Sequence, residues 1–277
     1  MQVKTSPVFQ IFLQQHQEAK ALFLDLGKEI KSKKAIELLG HLEFLELYSD
    51  LLSKIHFENE SFGQSMFSSF KKLKKSLRKI QHLKLVEKSL KLRETESGQK
   101  FESFRAYLSS QKRIMQKEAF DLMVGSSLKA WDDFLERAHQ ASKGIKPLMI
   151  STAIHQLVQE ELELATNDVK TPMSTQSFRD LFESFKKVIM LENILLHLGF
   201  NSIFIPQIHQ EIQLVKNGLK PWYSNHLTFQ TMTHFLSEKE DISKKYLDWV
   251  KELKEEKKKM STDIEKQAFE LVKKVIS

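Results

Sequence analysis

The chain has 277 residues, with 43 basic and 36 acidic side chains, a net charge of +7 and a pI near 9.2. It contains no cysteine, which excludes disulfide bonds and thiolate metal sites and fits a cytoplasmic location. No uncharged apolar run is long enough to cross a membrane, so we expect a soluble protein with no membrane partner.

Glycine and proline are scarce, at 8 and 5 residues, and apolar residues recur every three or four positions between them. This spacing is typical of amphipathic helices, and no segment has the alternation of a strand, so we predict an all-α bundle of about ten helices. The helices are expected at residues 7–26, 33–56, 62–93, 99–123, 127–142, 147–166, 174–198, 204–217, 221–236 and 240–275. All five prolines are placed at or just before helix starts. The polar stretches 94–99 and 167–174 are predicted to be the least ordered.

The segment 70–93 has the most distinctive charge pattern in the chain. It contains ten basic residues and one acidic residue, Glu87, so its local excess of positive charge is larger than the +7 of the whole chain. Its apolar residues follow a helical period. We therefore expect an amphipathic helix that buries a stripe containing Leu73, Leu77 and Ile80 and leaves the cations outside.

Such a concentration of cations attracts a polyanion. A solvated helix face with a fringe of long lysine side chains explains the same pattern, and both interpretations stay open at this point. The candidate anion-binding residues on this helix are Lys71, Lys74, Lys75, Arg78 and Lys79. The other lysine-rich run, 251–259, is interleaved with glutamates and is interpreted as a solvated, self-paired face.

A faint internal repeat relates two parts of the chain. Sliding the sequence against itself by about 143–144 residues places Leu38 opposite Phe182 and Arg78 opposite Trp222. Each half would then contain a long helix, a short turn and a second long helix.

The segments 33–93 and 174–236 resemble, in order and spacing, the two halves of a CHAD domain, an α-helical domain named for its histidines. Each half of that family begins with a His-x-x-Arg-x-x-x-Lys helix. A second helix follows, with Arg-Asp in the first half and Trp-His-Asp in the second. Here Arg78 stands at the Arg of Arg-Asp and Trp222 at the Trp of Trp-His-Asp, while the other motif residues are replaced. Trp222 itself is interpreted as a packing anchor or, alternatively, as part of a groove wall.

The opening motifs of the two halves depart further from the family pattern. The two pairs of His and Arg positions are occupied here by Ala35 with Leu38 and by Arg179 with Phe182. Lys186 and Lys187 remain near the Lys position of the second half.

The resemblance implies a fold and a domain organisation. The fold would be a pseudo-two-fold helical bundle with long antiparallel helix hairpins. An N-terminal helix in residues 1–30 would precede a single domain at 31–277, whose halves lie at about 31–142 and 147–277.

The resemblance also implies a basic central groove that binds inorganic polyphosphate. The helix with Arg78 would form one bank of this groove. Lys186 and Lys187 would form the other bank, with Arg179 at its edge. Rows of Lys and Arg suit a linear polymer of phosphates, because binding releases counterions.

The sequence offers no constellation of residues for catalysis. It has no zinc-binding pair of histidines on one helix, no nucleophile elbow and no phosphate-binding glycine loop. We therefore expect no enzymatic activity, no metal and no cofactor. The replaced His and Arg residues leave a second hypothesis open, a structural or protein-interaction module that has lost its ligand. Nucleic acid is a less favoured partner, because the high pI comes without a nucleic-acid-binding motif.

Overall fold

The computed structural model describes residues 7–56, 62–167 and 172–276. Ten α-helices lie within these ranges, and no residue in them forms a strand. The helices are α1 (Pro7–Leu26), α2 (Ser32–Ile55), α3 (Phe62–Met66), α4 (Lys71–Ser97), α5 (Glu102–Val124), α6 (Lys129–Ser142), α7 (Pro147–Asn167), α8 (Thr175–His197), α9 (Pro206–Ser237) and α10 (Lys244–Ile276). The predicted all-α helical bundle is therefore confirmed.

The chain divides into two compact units, each assembled from three chain segments. Unit 1 contains Met1–Gln81, Ile114–Glu160 and Lys187–Ile203, and unit 2 contains His82–Arg113, Glu161–Lys186 and Phe204–Ser277. Four boundaries fall inside α4, α5, α7 and α8, so each of these helices contributes residues to both units. A compact unit and a sequence repeat are different properties. The predicted pseudo-two-fold relation, the N-terminal helix at 1–30 and the halves at 31–142 and 147–277 therefore stay predictions.

Unit 1 is centred on aromatic side chains from α1, α2 and α6. Phe12 is fully buried, with the ring centroids of Tyr48 at 4.4 Å and Phe134 at 5.6 Å. His16, one turn further along α1, is also buried, and its Nε2 lies 3.0 Å from the carbonyl oxygen of Trp131. Large buried rings dominate core energetics, and this polar contact adds a fixed link between α1 and α6.

Unit 2 is built around the packing of α9 against α10. Trp222 is fully buried and stacks on Phe178 with the ring centroids 4.8 Å apart. Its indole N–H donates a hydrogen bond of 2.9 Å to Ser261 Oγ on α10. Trp222 is therefore a packing anchor of this unit, because both its apolar body and its polar edge are satisfied inside the protein.

The prediction of one uninterrupted helix over 62–93 is wrong. A short 3₁₀ turn that begins at Ser68 separates α3 from α4. Ser68 Oγ donates a hydrogen bond of 2.7 Å to the carbonyl of Ser65, a local bond that competes with the helical ladder. The turn also allows both Phe67 and Phe70 to be buried in unit 1.

The stretch 94–99, predicted to be poorly ordered, is instead helical as far as Ser97. Glu94 provides a physical reason, because its carboxylate accepts a hydrogen bond of 2.9 Å from the backbone N–H of Phe101 and forms an ion pair with Arg105. The side chain thus fastens the end of α4 to the beginning of α5. Of the other stretch predicted to be poorly ordered, residues 168–171 lie outside the described residues.

The predicted break between helices 204–217 and 221–236 is also wrong, because α9 continues through Pro221. An interior proline removes one backbone hydrogen bond and costs about 3 kcal/mol in an isolated helix. Packing on both sides of the proline opposes this cost, since Leu219 and Trp222 are both fully buried. The other predicted helices begin and end within a few residues of the observed ones.

Candidate polyanion site

The first half of α4 belongs to unit 1 and presents the predicted apolar stripe to the interior. Leu73, Leu77 and Ile80 are 4%, 0% and 2% exposed, so the prediction that this stripe is buried is confirmed. The candidate cations of the same half-helix are half-buried or exposed. The backbone of α4 thus fixes which side chains can meet a ligand from solvent.

Three of the five candidate cations on α4 are paired with carboxylates inside unit 1. The pairs are Lys74 with Glu46, Arg78 Nη2 with Glu43 Oε1 at 2.9 Å, and Lys79 Nζ with Glu118 Oε2 at 2.7 Å. The acids come from α2 and α5, far from α4 in sequence, so a pattern read along α4 alone could not reveal them. A polyanion would have to compete with these carboxylates for the same cations.

The α4 lysine row, which we define as Lys71, Lys72 and Lys75, is different. All three side chains are exposed, and none has an ion pair with any residue the structure describes. Lys71 and Lys75 are four residues apart and lie on the same side of the helix. These lysines remain available to an anion without breaking an internal contact.

The second half of α4 belongs to unit 2 and is also partly compensated. Arg93 makes a bidentate contact with Glu252 of α10, with Nη1 2.6 Å from Oε2 and Nη2 2.9 Å from Oε1. Glu87, the one acid of the basic stretch, accepts a contact of 3.1 Å from Lys112 and lies 3.5 Å from Lys84. Part of the excess charge seen in the sequence is therefore neutralised within the fold.

Lys186, predicted to line the second bank of the groove, belongs to a group of lysines from α8 and α9. The sequence pattern did not predict this group. Lys186 of α8 lies close enough to Lys216 of α9 to influence its titration, as does Lys220, one turn further along α9. Burial, followed by the charges of Lys220 and Lys186, lowers the pKa of Lys216 below its ordinary value. We call these three residues the α8/α9 lysine cluster.

The remaining predicted site residues lie in both units. Lys187, half-buried, begins the third segment of unit 1, whereas Arg179, exposed near the start of α8, belongs to unit 2. The predicted groove that joins Arg78 to Lys186 and Lys187 stays a prediction.

Three of the four positions compared above with the opening motifs, those of Ala35, Leu38 and Phe182, hold packing residues, whereas Arg179 is exposed. Ala35 and Leu38 are both fully buried in unit 1. In unit 2, the ring of Phe182 stacks on Tyr223 at a centroid distance of 5.3 Å, and the Tyr223 hydroxyl lies 2.9 Å from His82 Nε2. At these places apolar and aromatic contacts replace the charges that the family pattern would supply.

Unit 2 also contains a cleft, which lies apart in sequence from the lysine clusters described above. It has a volume of about 290 Å³ and lies between α4 and α5. Its walls include Glu94 and Arg105, which pair with each other, and Glu87, which pairs with Lys112. Glu94 and Arg105 therefore compensate each other, Glu87 is compensated by a lysine that is not part of the walls, and Lys91 is the fourth charged residue of the lining.

The described residues contain no group of three or more His, Asp or Glu side chains placed to hold a metal ion. None of the described helices combines the length and the apolar character that a membrane span needs. Comparison of the chain with protein-family models, with curated proteins and with solved structures finds no match.

Proposed function

We propose that this chain is a non-enzymatic binding protein for a polyanion, with inorganic polyphosphate as the candidate ligand, and that it is a divergent CHAD protein. The observation that carries the proposal is the α8/α9 lysine cluster. Lys216 is half-buried, its charged neighbours are Lys186 and Lys220, and it has no acidic partner in the ranges that the structure describes. Removing a cation from water beside like charges is costly, and a bound anion compensates that cost.

A polymer of phosphates suits this surface better than a single small anion does. Several lysines, each a mobile point charge on a flexible stem, can follow a chain whose own path is irregular. Within unit 1, the α4 lysine row separately offers a polyanion three cations for which the structure describes no ionic partner. Release of counterions from the polymer then drives binding, so the affinity weakens steeply as salt is added.

The test is a binding titration of long-chain polyphosphate by fluorescence anisotropy at several salt concentrations. We expect the double variant Lys216→Glu with Lys220→Glu to weaken binding by about tenfold or more at low salt, and to flatten the dependence of affinity on salt. The matched control is Lys258→Glu with Lys259→Glu, which changes two exposed lysines of α10 by the same total charge.

Equal losses in the two double variants would contradict the proposal, because only net charge would then matter. Affinity that is insensitive to salt would contradict it as well. Duplex DNA serves as a competitor at matched phosphate concentration. Clear preference for DNA would assign the surface to nucleic acid instead.

A second candidate function, a structural or protein-interaction module, is favoured by the packing at the motif positions. Ala35 and Leu38 are core residues, and Phe182 is engaged with Tyr223, so none of them contributes charge to a channel. Absence of polyphosphate binding at low salt, together with a protein partner that co-purifies in fixed stoichiometry, would favour this function over the first.

A further inference from the structure

The surroundings of Lys257 on α10 differ from those that the neighbouring sequence predicts. The interpretation of the run 251–259 as a self-paired, solvated face is wrong for this residue, which is half-buried in unit 2. Its Nζ lies 3.1 Å from His226 Nδ1 and 3.2 Å from Thr175 Oγ1, and 5.5 Å from the ring centroid of Trp222. The side chain thus bends over the packing anchor of unit 2 towards the first turn of α8.

The imidazole at this site is held neutral. His226 is 3% exposed, and the ammonium group of Lys257 can only donate, so Nδ1 is the acceptor and the ring proton lies on Nε2. Burial, followed by the positive charges of Lys257 and Arg179, lowers the pKa of His226 to about 4. The charges of two cations therefore act on a side chain that is itself uncharged near neutral pH.

The described residues supply neither cation with a counter-charge. Within the described ranges, no carboxylate pairs with Lys257 or with Arg179. The acid next to Lys257 in sequence, Glu256, is engaged elsewhere, because its Oε2 accepts a hydrogen bond of 3.0 Å from Asn225 Nδ2. This arrangement contrasts with the first half of α4, where three cations each have a glutamate partner.

We propose that Lys257, Arg179 and Thr175 form a binding site for a single phosphoryl group. Thr175 and Arg179 are four residues apart on α8, so they lie on the same face of that helix, and Lys257 contacts Thr175 directly. The guanidinium offers a two-pronged donor, the ammonium a point charge and the hydroxyl a further hydrogen bond, which together match the oxygens of a phosphate.

The charge balance selects the class of ligand. A phosphate monoester or inorganic phosphate carries between one and two negative charges at neutral pH, which matches two unpaired cations, whereas a carboxylate would neutralise only one. The site shares Arg179 with the edge of the predicted groove, but it uses no residue of the α8/α9 lysine cluster, on which the proposed polyanion function rests. Lys257 also lies outside every motif position of the family resemblance.

The test is calorimetric titration of the full chain with inorganic phosphate, phenyl phosphate and acetate. We expect saturable binding of the two phosphates and a much weaker response to acetate. Lys257→Met and Arg179→Met should each lower phosphate affinity by about tenfold or more, because each removes a charge-assisted contact. Tighter binding of phenyl phosphate would assign the site to phosphate esters, and tighter binding of inorganic phosphate would assign it to the inorganic ion.

Three controls keep the test decisive. Lys258→Met removes an exposed cation from the same helix and should leave the phosphate affinity unchanged. Arg179 is exposed, so its replacement tests the site even if Lys257→Met fails to fold. Lys216→Glu should also leave phosphate binding intact, which separates this proposal from the polyanion function. Absence of saturable binding, or full affinity in Arg179→Met, would overturn the proposal.

Discussion

The first half of the basic helix α4 differs from Lys216 of α9 and Lys257 of α10 in how the positive charge is compensated. The first half of α4 is the most cationic stretch of the sequence, yet Lys74, Arg78 and Lys79 are paired with glutamates of α2 and α5. Lys216 and Lys257 stand among ordinary helical residues, and neither has an acidic partner in the described part of the chain. The density of charge along a sequence is therefore a poor guide to the uncompensated charge on a folded protein.

The difference has an energetic consequence for any anionic ligand. A polyanion that binds a paired lysine must replace a carboxylate already in place, so the net gain is small. A half-buried lysine without a described carboxylate partner has lost part of its hydration on folding, which costs free energy. A polyanion that binds this lysine offsets that cost. Lys216 should therefore contribute more affinity than any one of the paired cations of α4.

The largest expected effect is a loss of folding stability in acid. It is caused by His226, the buried histidine that contacts Lys257 in unit 2. The folded-state pKa of His226, about 4, lies below its ordinary value of 6.5, so the unfolded chain takes up the proton first as the pH falls. Stability should therefore decrease between about pH 6.5 and about pH 4, by up to about 3 kcal/mol from this group. Urea unfolding of the wild type and of His226→Gln at several pH values isolates the effect. Identical pH profiles would contradict it.

The next effect concerns the most buried ion pair of α4. Arg78→Met leaves Glu43, whose side chain is 10% exposed, without its guanidinium partner. We expect a loss of about 2 kcal/mol in the free energy of unfolding, because Glu43 loses its charge-assisted contact with the guanidinium while its carboxylate remains largely buried. The double variant Arg78→Met with Glu43→Gln should recover part of this loss. Lys75→Met, in the α4 lysine row, should change the free energy of unfolding by less than about 0.5 kcal/mol. A loss as large as that of Arg78→Met would mean that the paired and unpaired cations of α4 do not differ in their contribution to stability.

The smallest effect is expected at the exposed pair of α4. Lys79 and Glu118 have side chains that are 46% and 44% exposed, so water and salt screen their attraction. Lys79→Met should cost no more than about 0.5 kcal/mol in thermal or urea unfolding, and this cost should disappear at high salt. A loss as large as that of Arg78→Met would mean that burial does not set the strength of these pairs.

The sequence predicts local features of this fold well and long-range ones poorly. The spacing of Leu73, Leu77 and Ile80 is sufficient to predict both a helix and its buried face, because helical periodicity is a local property. Pro221 led to the wrong prediction of a helix break, because the packing of α9 against α10 outweighs the preference of proline for a helix start. Lys257 misleads for a related reason: the glutamates around it suggest pairing along one helix, whereas the fold turns its side chain towards His226. The contacts that decide which cations are compensated join residues far apart in sequence, and periodicity contains no information about them.

Lysine footprinting tests the central claim most directly. That claim is that the polyanion is bound by lysines for which the structure describes no carboxylate partner, and not by the paired cations of α4. The full chain is acetylated briefly with and without long-chain polyphosphate at low salt, and the modification of each lysine is measured by mass spectrometry. We expect polyphosphate to protect Lys216 and Lys220 strongly, and to leave Lys79 modified to nearly the same extent in both samples. Protection of Lys74 and Lys79 with no change at Lys216 would contradict the claim and return the site to the basic helix.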